Sequence, residues 1–214
     1  MKGLFIKDLR LLKNQRNFLV TIVLMFLILV ITGVDASFFM GYVPFLLLIV
    51  SMTTITYDEL ENGLAFLMVL PVSRKEYVLE KYLLGGLFGI GGLAVTVVIF
   101  IITEENAKTS MTWESYLLIA TGFLAFVILF LSLMIPIQLK FGSEKGRLVL
   151  FAIFFGIVYV ADKVIKVNVT ATALYQNLLQ LPLEILLTAT FVLFAVFVLI
   201  SIKISLGIMK KKEW

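Results

Sequence analysis

The sequence contains neither cysteine nor histidine among its 214 residues. Without cysteine it has no disulfide framework and no thiolate metal site, and without histidine it has no imidazole acid–base catalyst and no His-ligated zinc. Charged residues are also scarce, at 15% of the chain, against about 25% in an ordinary soluble domain. We therefore predict no catalytic residues, no metal ligands and no resident cofactor in this chain.

Apolar residues take the place of the missing charge, at 61% of the chain. A water-soluble fold cannot hide so much apolar surface, because its exterior needs charged side chains. Six apolar stretches alternate with short charged segments, and most are long enough to cross a hydrocarbon core of about 30 Å. The predicted spans are residues 18–34, 36–57, 82–103, 115–139, 148–167 and 183–205. The prediction is one all-α integral membrane domain, residues 1–214, in which Pro136 kinks or ends the fourth span.

Lysine and arginine predict the orientation, since loops on the cytoplasmic side carry an excess of them. Fifteen of the 18 lie in the segments 1–17, 58–81, 140–147 and 203–214, and the alternate segments hold three. This asymmetry predicts a protein of the cell membrane with both termini in the cytoplasm. The basic residues flank apolar runs and form no stripe on a soluble module, so membrane lipid explains them better than nucleic acid does.

The loop 58–81, DELENGLAFLMVLPVSRKEYVLEK, is longer than a turn between spans requires. Its first part predicts a short apolar helix that Pro71 stops, since the residue before a proline disfavours the α region. Ser73 and Glu76 then have the Ser-x-x-Glu spacing of a capping box, which starts a second helix running into the third span. A short helix of this kind either transmits motion from a soluble partner or rests on the bilayer as an interfacial helix.

The arm 1–17 is predicted to be an interfacial helix on the cytoplasmic membrane surface. At 100° per residue, Phe5, Leu9 and Leu12 share one face with Ile6 at its edge, while Lys2, Lys7 and Arg10 point away.

The string Leu-Pro-Val-Ser-Arg-Lys-Glu-Tyr at 70–77, preceded by Asp58-Glu59, closely resembles bacterial permeases of the type-2 ABC exporter family. The opening Met-Lys-Gly-Leu at 1–4 and Lys-Asp-Leu at 7–9 resemble the start of that family, of the type that exports peptides, antibiotics or toxins. The resemblance implies that the loop is a coupling helix seated in a cleft of an ATPase subunit. The residues it assigns to this contact are Asp58, Glu59, Glu61, Asn62, Leu64, Phe66, Met68, Arg74 and Lys75.

Nucleotide chemistry is expected on a separate subunit, which would hold ATP and magnesium. The glycine-rich run 85–92 lacks the Lys-Ser/Thr ending of a phosphate-binding loop and lies within a span. The spacing of Gly85 and Gly89 instead predicts close helix packing, or a flexible point in a moving helix. The resemblance also offers Tyr175, Gln176 and Asn177 as an outer gate, with an interfacial cap as the alternative.

These features predict a permease subunit of an ATP-driven exporter that forms the path for an amphipathic or hydrophobic cargo. It would act as a dimer with a second copy or a paralogue, together with ATPase subunits. The predicted spans carry almost no ionisable residue, whereas ion-coupled transporters keep such groups within the membrane. The alternatives are a non-transporting assembly or sensor protein and, with less support from the residues, an intramembrane enzyme.

Overall fold

The computed structural model describes residues 2–14, 16–32, 36–60, 63–104, 113–167 and 183–212. Within these ranges every regular element is helical and there is no strand. The helices are α1 (Lys2–Asn14), α2 (Arg16–Ile31), α3 (Ala36–Glu59), α4 (Gly63–Val69), α5 (Arg74–Glu104), α6 (Trp113–Val167) and α7 (Leu183–Lys211). The prediction of an all-α protein is confirmed.

The core is formed by α3, α5, α6 and α7. The most extensive packing is between α3 and α5, followed by α6 against α7 and α3 against α6. Leu48 and Ile55 of α3, Leu84 of α5, Ile135 of α6 and Met209 of α7 are fully buried. The helix α5 also packs against α6 and α7. Smaller contacts attach α1 to α3 and α5, and α4 to α3, so α1 and α4 lie on the outside of this four-helix core.

Two glycines allow α5 to approach α6 closely. A Cβ atom at Gly89 would lie 2.5 Å from Val127 Cγ1, and one at Gly85 would collide with Leu131. Real Cβ atoms do not come this near to other carbon atoms, so a larger residue would push the helices apart. The predicted packing role of Gly85 and Gly89 agrees with this geometry.

A polar cluster joins three of the helices within the apolar core. The Tyr82 hydroxyl of α5 lies 2.5 Å from Ser201 Oγ and 3.0 Å from Ser205 Oγ of α7. Ser201 donates in turn to the backbone carbonyl of Ser132 in α6. Hydroxyl groups that bond across helices in this way satisfy one another where water is excluded.

A sharp break divides α6 into the segments 113–141 and 143–167. Gly142 has φ 78° and ψ 171°, a backbone conformation that glycine adopts without steric cost. The sequence places the end of the fourth span near Pro136, but the helix continues through that proline. The break lies six residues later because the absence of a side chain, not the ring of proline, permits the change in direction.

Four helical stretches of the described chain are long and apolar enough to cross a membrane. They are Gly41–Glu59, Arg74–Val98, Ile119–Gly146 and Phe191–Lys211. Helices also occupy the two other predicted spans, since α2 covers residues 18–31 of the first and the segment 143–167 covers the fifth. The 16 residues of α2 extend about 24 Å, which is less than the thickness of a hydrocarbon core of about 30 Å. Its length alone therefore does not identify it as a span.

Candidate functional site

The described residues between α3 and α5, 60 and 63–73, form an elbow built around the short helix α4. The helix ends at Val69, two residues before Pro71, as expected from the restriction that proline places on the preceding residue. The next helix begins at Arg74 and continues for 31 residues. The elbow is therefore joined, without a further loop, to a helix that enters the core.

The predicted capping box at the start of α5 is confirmed. The Ser73 Oγ atom accepts a hydrogen bond from the Glu76 backbone N–H at 3.1 Å. In return, the Glu76 carboxylate accepts the Ser73 backbone N–H at 3.1 Å and the Ser73 hydroxyl at 2.9 Å. Two backbone donors that the helix itself cannot satisfy are paired, so the boundary between the elbow and α5 is fixed.

The helix α4 has one face in the core and one face exposed. Leu64 and Leu67 are 3% and 8% exposed, and Met68 packs against the same cluster. On the other face Phe66 is 69% exposed and Val69 is 84% exposed. The sequence assigns Leu64, Phe66 and Met68 alike to contact with a partner, but in the structure Leu64 and Met68 attach α4 to the bundle. Phe66 is the member of this set that is available to a partner.

Among the charged residues assigned to the same contact, some are held by bonds within the protein and one is exposed. Asp58 is buried and paired with lysines of α1 and α5. Glu59 accepts the backbone N–H of Ser143 at 2.7 Å. Arg74 donates to the backbone carbonyl of Lys210 at 2.8 Å, whereas Lys75 is exposed.

Glu61 and Asn62, assigned to the same contact, lie outside the described residues. So do the candidate gate residues Tyr175, Gln176 and Asn177.

A cleft of about 730 Å³ lies between the elbow and the break in α6. Leu60 and Phe141, which are 54% and 42% exposed, contribute apolar surface. Glu144 and Lys145 contribute charges of both signs. The cleft can receive an apolar side chain, and its own polar groups lie at its margin.

Beneath the elbow, two aspartates and two lysines form a buried ionic network between α1, α3 and α5. Lys81 of α5 pairs with Asp8 of α1 and lies 2.8 Å from Asp58 Oδ2 of α3. Lys7 of α1 pairs with Asp58 and lies 2.9 Å from Asp8 Oδ1. Asp8 is 0% exposed and Lys81 1%, so each charge depends on its partners and not on water for stabilisation.

Neutral groups complete the network. Tyr77 donates its hydroxyl to Asp58 Oδ2 at 3.1 Å, and Lys81 donates to Thr54 Oγ1 at 3.1 Å. The two carboxylates and two ammonium groups have no net charge as a set, and each carboxylate oxygen lies within 3 Å of a lysine ammonium group. Such a network fixes the position of α1 against α3 and α5.

The pKa values of Lys7 and Asp8 show that ion pairing outweighs burial in the network. Burial by itself would lower the pKa of Lys7, but the Asp58 and Asp8 carboxylates outweigh it and raise this pKa above 10.5. Burial would raise the pKa of Asp8, but the Lys81 and Lys7 ammonium groups outweigh it and hold this pKa below 3.8. Both residues therefore stay charged across the physiological pH range.

The four Lys- and Arg-rich segments of the sequence meet at this end of the bundle. Lys7 of the first segment pairs with Asp58, where the elbow begins. Arg74 reaches Lys210 near the C-terminus, and Lys212 lies 3.5 Å from Glu59 Oε1. Lys212 also donates to the carbonyl of Leu139, just before the break in α6, at 3.3 Å. The alternation of charge along the sequence thus corresponds to a common end in three dimensions.

Asp8 and Lys81 do not stand out in the sequence, where they belong to charged segments with other ionisable residues. A signal for Asp8 is present, because at 100° per residue it shares a face with Leu4 and Leu12. All three are buried. An acidic residue in the apolar stripe of a helix indicates a buried cation opposite it.

The helices define a multi-pass membrane protein whose charged segments and short elbow helix lie at one end. A family model described as ABC-2 family transporter protein matches residues 3–210, nearly the whole chain. The chain belongs to this ABC-2 transporter family. Comparison with curated proteins and with solved structures gives no match.

Proposed function

We propose that the chain is the membrane-spanning permease subunit of an ATP-driven ABC exporter. Membership of the ABC-2 family supports a permease that associates with an ABC ATPase subunit.

The contact with the ATPase is assigned to the exposed face of the elbow. This assignment rests on the exposure of Phe66, Val69 and Leu70, at 69%, 84% and 43%, at the end of the bundle where the charged segments meet. Apolar side chains grouped in this way beside a cleft form the kind of surface that a soluble partner buries. ATP hydrolysis then takes place on the partner, and the elbow functions as a coupling helix.

The direction of the chain supports the proposal of six spans. Both α3 and α7 end at the elbow end of the bundle, where Asp58 and Lys210 lie, so both begin at the opposite end. The helix before each of them starts at the elbow end: α2 follows α1, and the segment 143–167 follows the break at Gly142. In the proposed arrangement these two helices return the chain across the membrane. In addition, every side chain of α2 that the structure describes is exposed, and most are apolar, as lipid contact requires.

The elbow end is assigned to the cytoplasm, because the segments that meet there carry fifteen of the 18 lysines and arginines. Two copies, or one copy and a paralogue, together enclose the path for an amphipathic or hydrophobic cargo. The apolar cavity of about 490 Å³ between α6 and α7, lined by Leu124, Phe191 and Phe194 among others, supports a cargo with apolar groups.

The contact is tested by purifying the chain with an ABC ATPase of the same genome and measuring their affinity and the ATPase rate. Phe66→Ala is expected to weaken the complex about thirtyfold, as truncation of a central aromatic contact costs about 2 kcal/mol. Phe155→Ala is the matched control, since Phe155 is 67% exposed but lies in α6 beyond the break. Equal affinity of the two variants would exclude Phe66 from the contact.

Orientation and transport need separate measurements. The chain has no cysteine, so a single Lys75→Cys can be labelled without background. Labelling of intact cells by an impermeant maleimide would place the elbow outside and remove the proposal. Uptake of cargo into inverted vesicles that depends on ATP distinguishes an exporter from an assembly or sensor protein that binds the same ATPase without transport.

A further inference from the structure

The helix α1 has two chemically different faces. Leu4, Asp8 and Leu12 are buried against the bundle. The opposite face is exposed and consists of Lys2, Gly3, Ile6, Leu9, Arg10 and Lys13. Asp8 is the only acidic residue of α1, and it is buried and paired with Lys81. The exposed face therefore combines cationic and apolar groups and contains no anion.

A groove of about 380 Å³ lies between α1 and α5 beside this face. Phe5 and Ile6 of α1 and Leu83 and Leu87 of α5 form its walls, with Lys2 at its margin. Leu83 and Leu87 are 57% and 56% exposed on a helix long enough to cross the membrane, so the groove opens toward the bilayer. Glu80 also lines it, but both of its carboxylate oxygens are buried, which leaves the accessible surface apolar apart from Lys2.

We propose that this groove binds one anionic phospholipid of the adjacent leaflet. The acyl chain lies along Leu83 and Leu87, where the apolar walls replace contacts with other lipid chains. The lipid phosphate pairs with the Lys2 ammonium. Arg10 and Lys13, about two and three turns beyond Lys2 on the exposed face, add to the positive potential that selects a headgroup of net negative charge.

Charge complementarity favours this occupant over a zwitterionic lipid. A choline or ethanolamine headgroup brings a cation that needs an anionic partner, and the exposed face of α1 has none. Of the two acids nearest the groove, Asp8 is 0% exposed and held by two lysines, and both carboxylate oxygens of Glu80 are buried. The proposal concerns the leaflet at this end of the bundle and does not depend on transport or on an ATPase.

The test is native mass spectrometry of the full chain, titrated in detergent with phosphatidylglycerol or phosphatidylcholine of identical acyl chains. Phosphatidylglycerol is expected to bind at least fivefold more tightly. Lys2→Ala should weaken its binding about fivefold, the usual effect of one basic residue near a charged leaflet, and Lys2→Arg should preserve it. Lys140→Ala is the charge control, because Lys140 is exposed at the end of the first α6 segment, which is not among the helices that pack against α1.

A second pair of variants tests the groove itself. Leu87→Trp fills it and is expected to reduce phosphatidylglycerol binding, whereas Ile90→Trp changes a 61% exposed side chain of the same helix outside the groove. Equal binding of the two lipids would overturn the proposal. So would equal effects of Lys2→Ala and Lys140→Ala, or of the two tryptophan variants. Displacement of the lipid by inorganic phosphate alone would also overturn it, since phosphate has no chain for the groove to hold.

Discussion

Replacing Lys81 by methionine is expected to destabilise the protein more than any other single loss of a lysine at this end of the bundle. Lys81 is 1% exposed, pairs with Asp8 and lies 2.8 Å from Asp58 Oδ2. Its removal leaves two buried carboxylates with one remaining ammonium group, that of Lys7, to neutralise them. Breaking a buried pair from one side costs about 3–5 kcal/mol, so Lys81→Met should lower the free energy of unfolding by about that amount.

Unfolding is measured in detergent by titration with sodium dodecyl sulfate, with Lys75→Met as the control. Lys75 lies in the same helix but is exposed, and loss of an exposed charge changes stability by no more than about 0.5 kcal/mol. The double variant Asp8→Asn, Lys81→Met should be more stable than the sum of the single effects predicts, by about 1–3 kcal/mol. If Lys81→Met and Lys75→Met were equally stable, the network could not be what attaches α1 to the bundle.

Three further predictions concern helix boundaries, helix packing and pH. Ser73→Ala removes the capping box and should lower the free energy of unfolding by about 1 kcal/mol, which the same titration measures. Gly85→Ala should destabilise because its Cβ would meet a leucine of α6, whereas Gly86→Ala has open space and should be neutral or slightly stabilising; equal thermal midpoints would contradict this packing. Because the pKa of Asp8 is held below 3.8, its stabilisation is complete above that pH and is lost as the pH falls through the lower folded-state value. The Asp8→Asn variant should therefore show a weaker decline of stability in acid than the wild type.

Much of the elbow could be predicted from the sequence because its signals are local. A proline restricts the residue before it, and a serine three residues before a glutamate pairs with it, whatever the rest of the fold does. The end of α4 at Val69 and the capping hydrogen bonds of Ser73 and Glu76 follow from these rules. The continuation of this second helix into the third span was predicted for the same reason.

The orientation of α4 could not be predicted, since it depends on tertiary packing. In an apolar run such as GLAFLMV, any face can be turned toward the core. Leu64 and Leu67, and not Phe66, are buried because they pack against the neighbouring core cluster. The break in α6 is a similar case: Pro136 is the stronger local signal, but helices within membranes accommodate proline, and the chain turns at Gly142 where a positive φ is available.

The ionic network shows a different limit of sequence reasoning. Its ion pairs join residues that are 23 to 73 positions apart along the chain, except for the neighbours Lys7 and Asp8. Counting lysines by segment gives their side of the membrane and says nothing about which of them are buried. The position of Asp8 between Leu4 and Leu12 was the available clue.

The uninterrupted course of α5 has a mechanical consequence. Its 31 residues form a rod about 46 Å long that begins at the capped end of the elbow. A tilt of about 5° at the elbow carries the opposite end of such a rod sideways by about 4 Å, close to the width of a methylene chain. If the elbow is the coupling helix proposed above, a small displacement of the surface around Phe66 would change the aperture between helices on the far side of the bilayer.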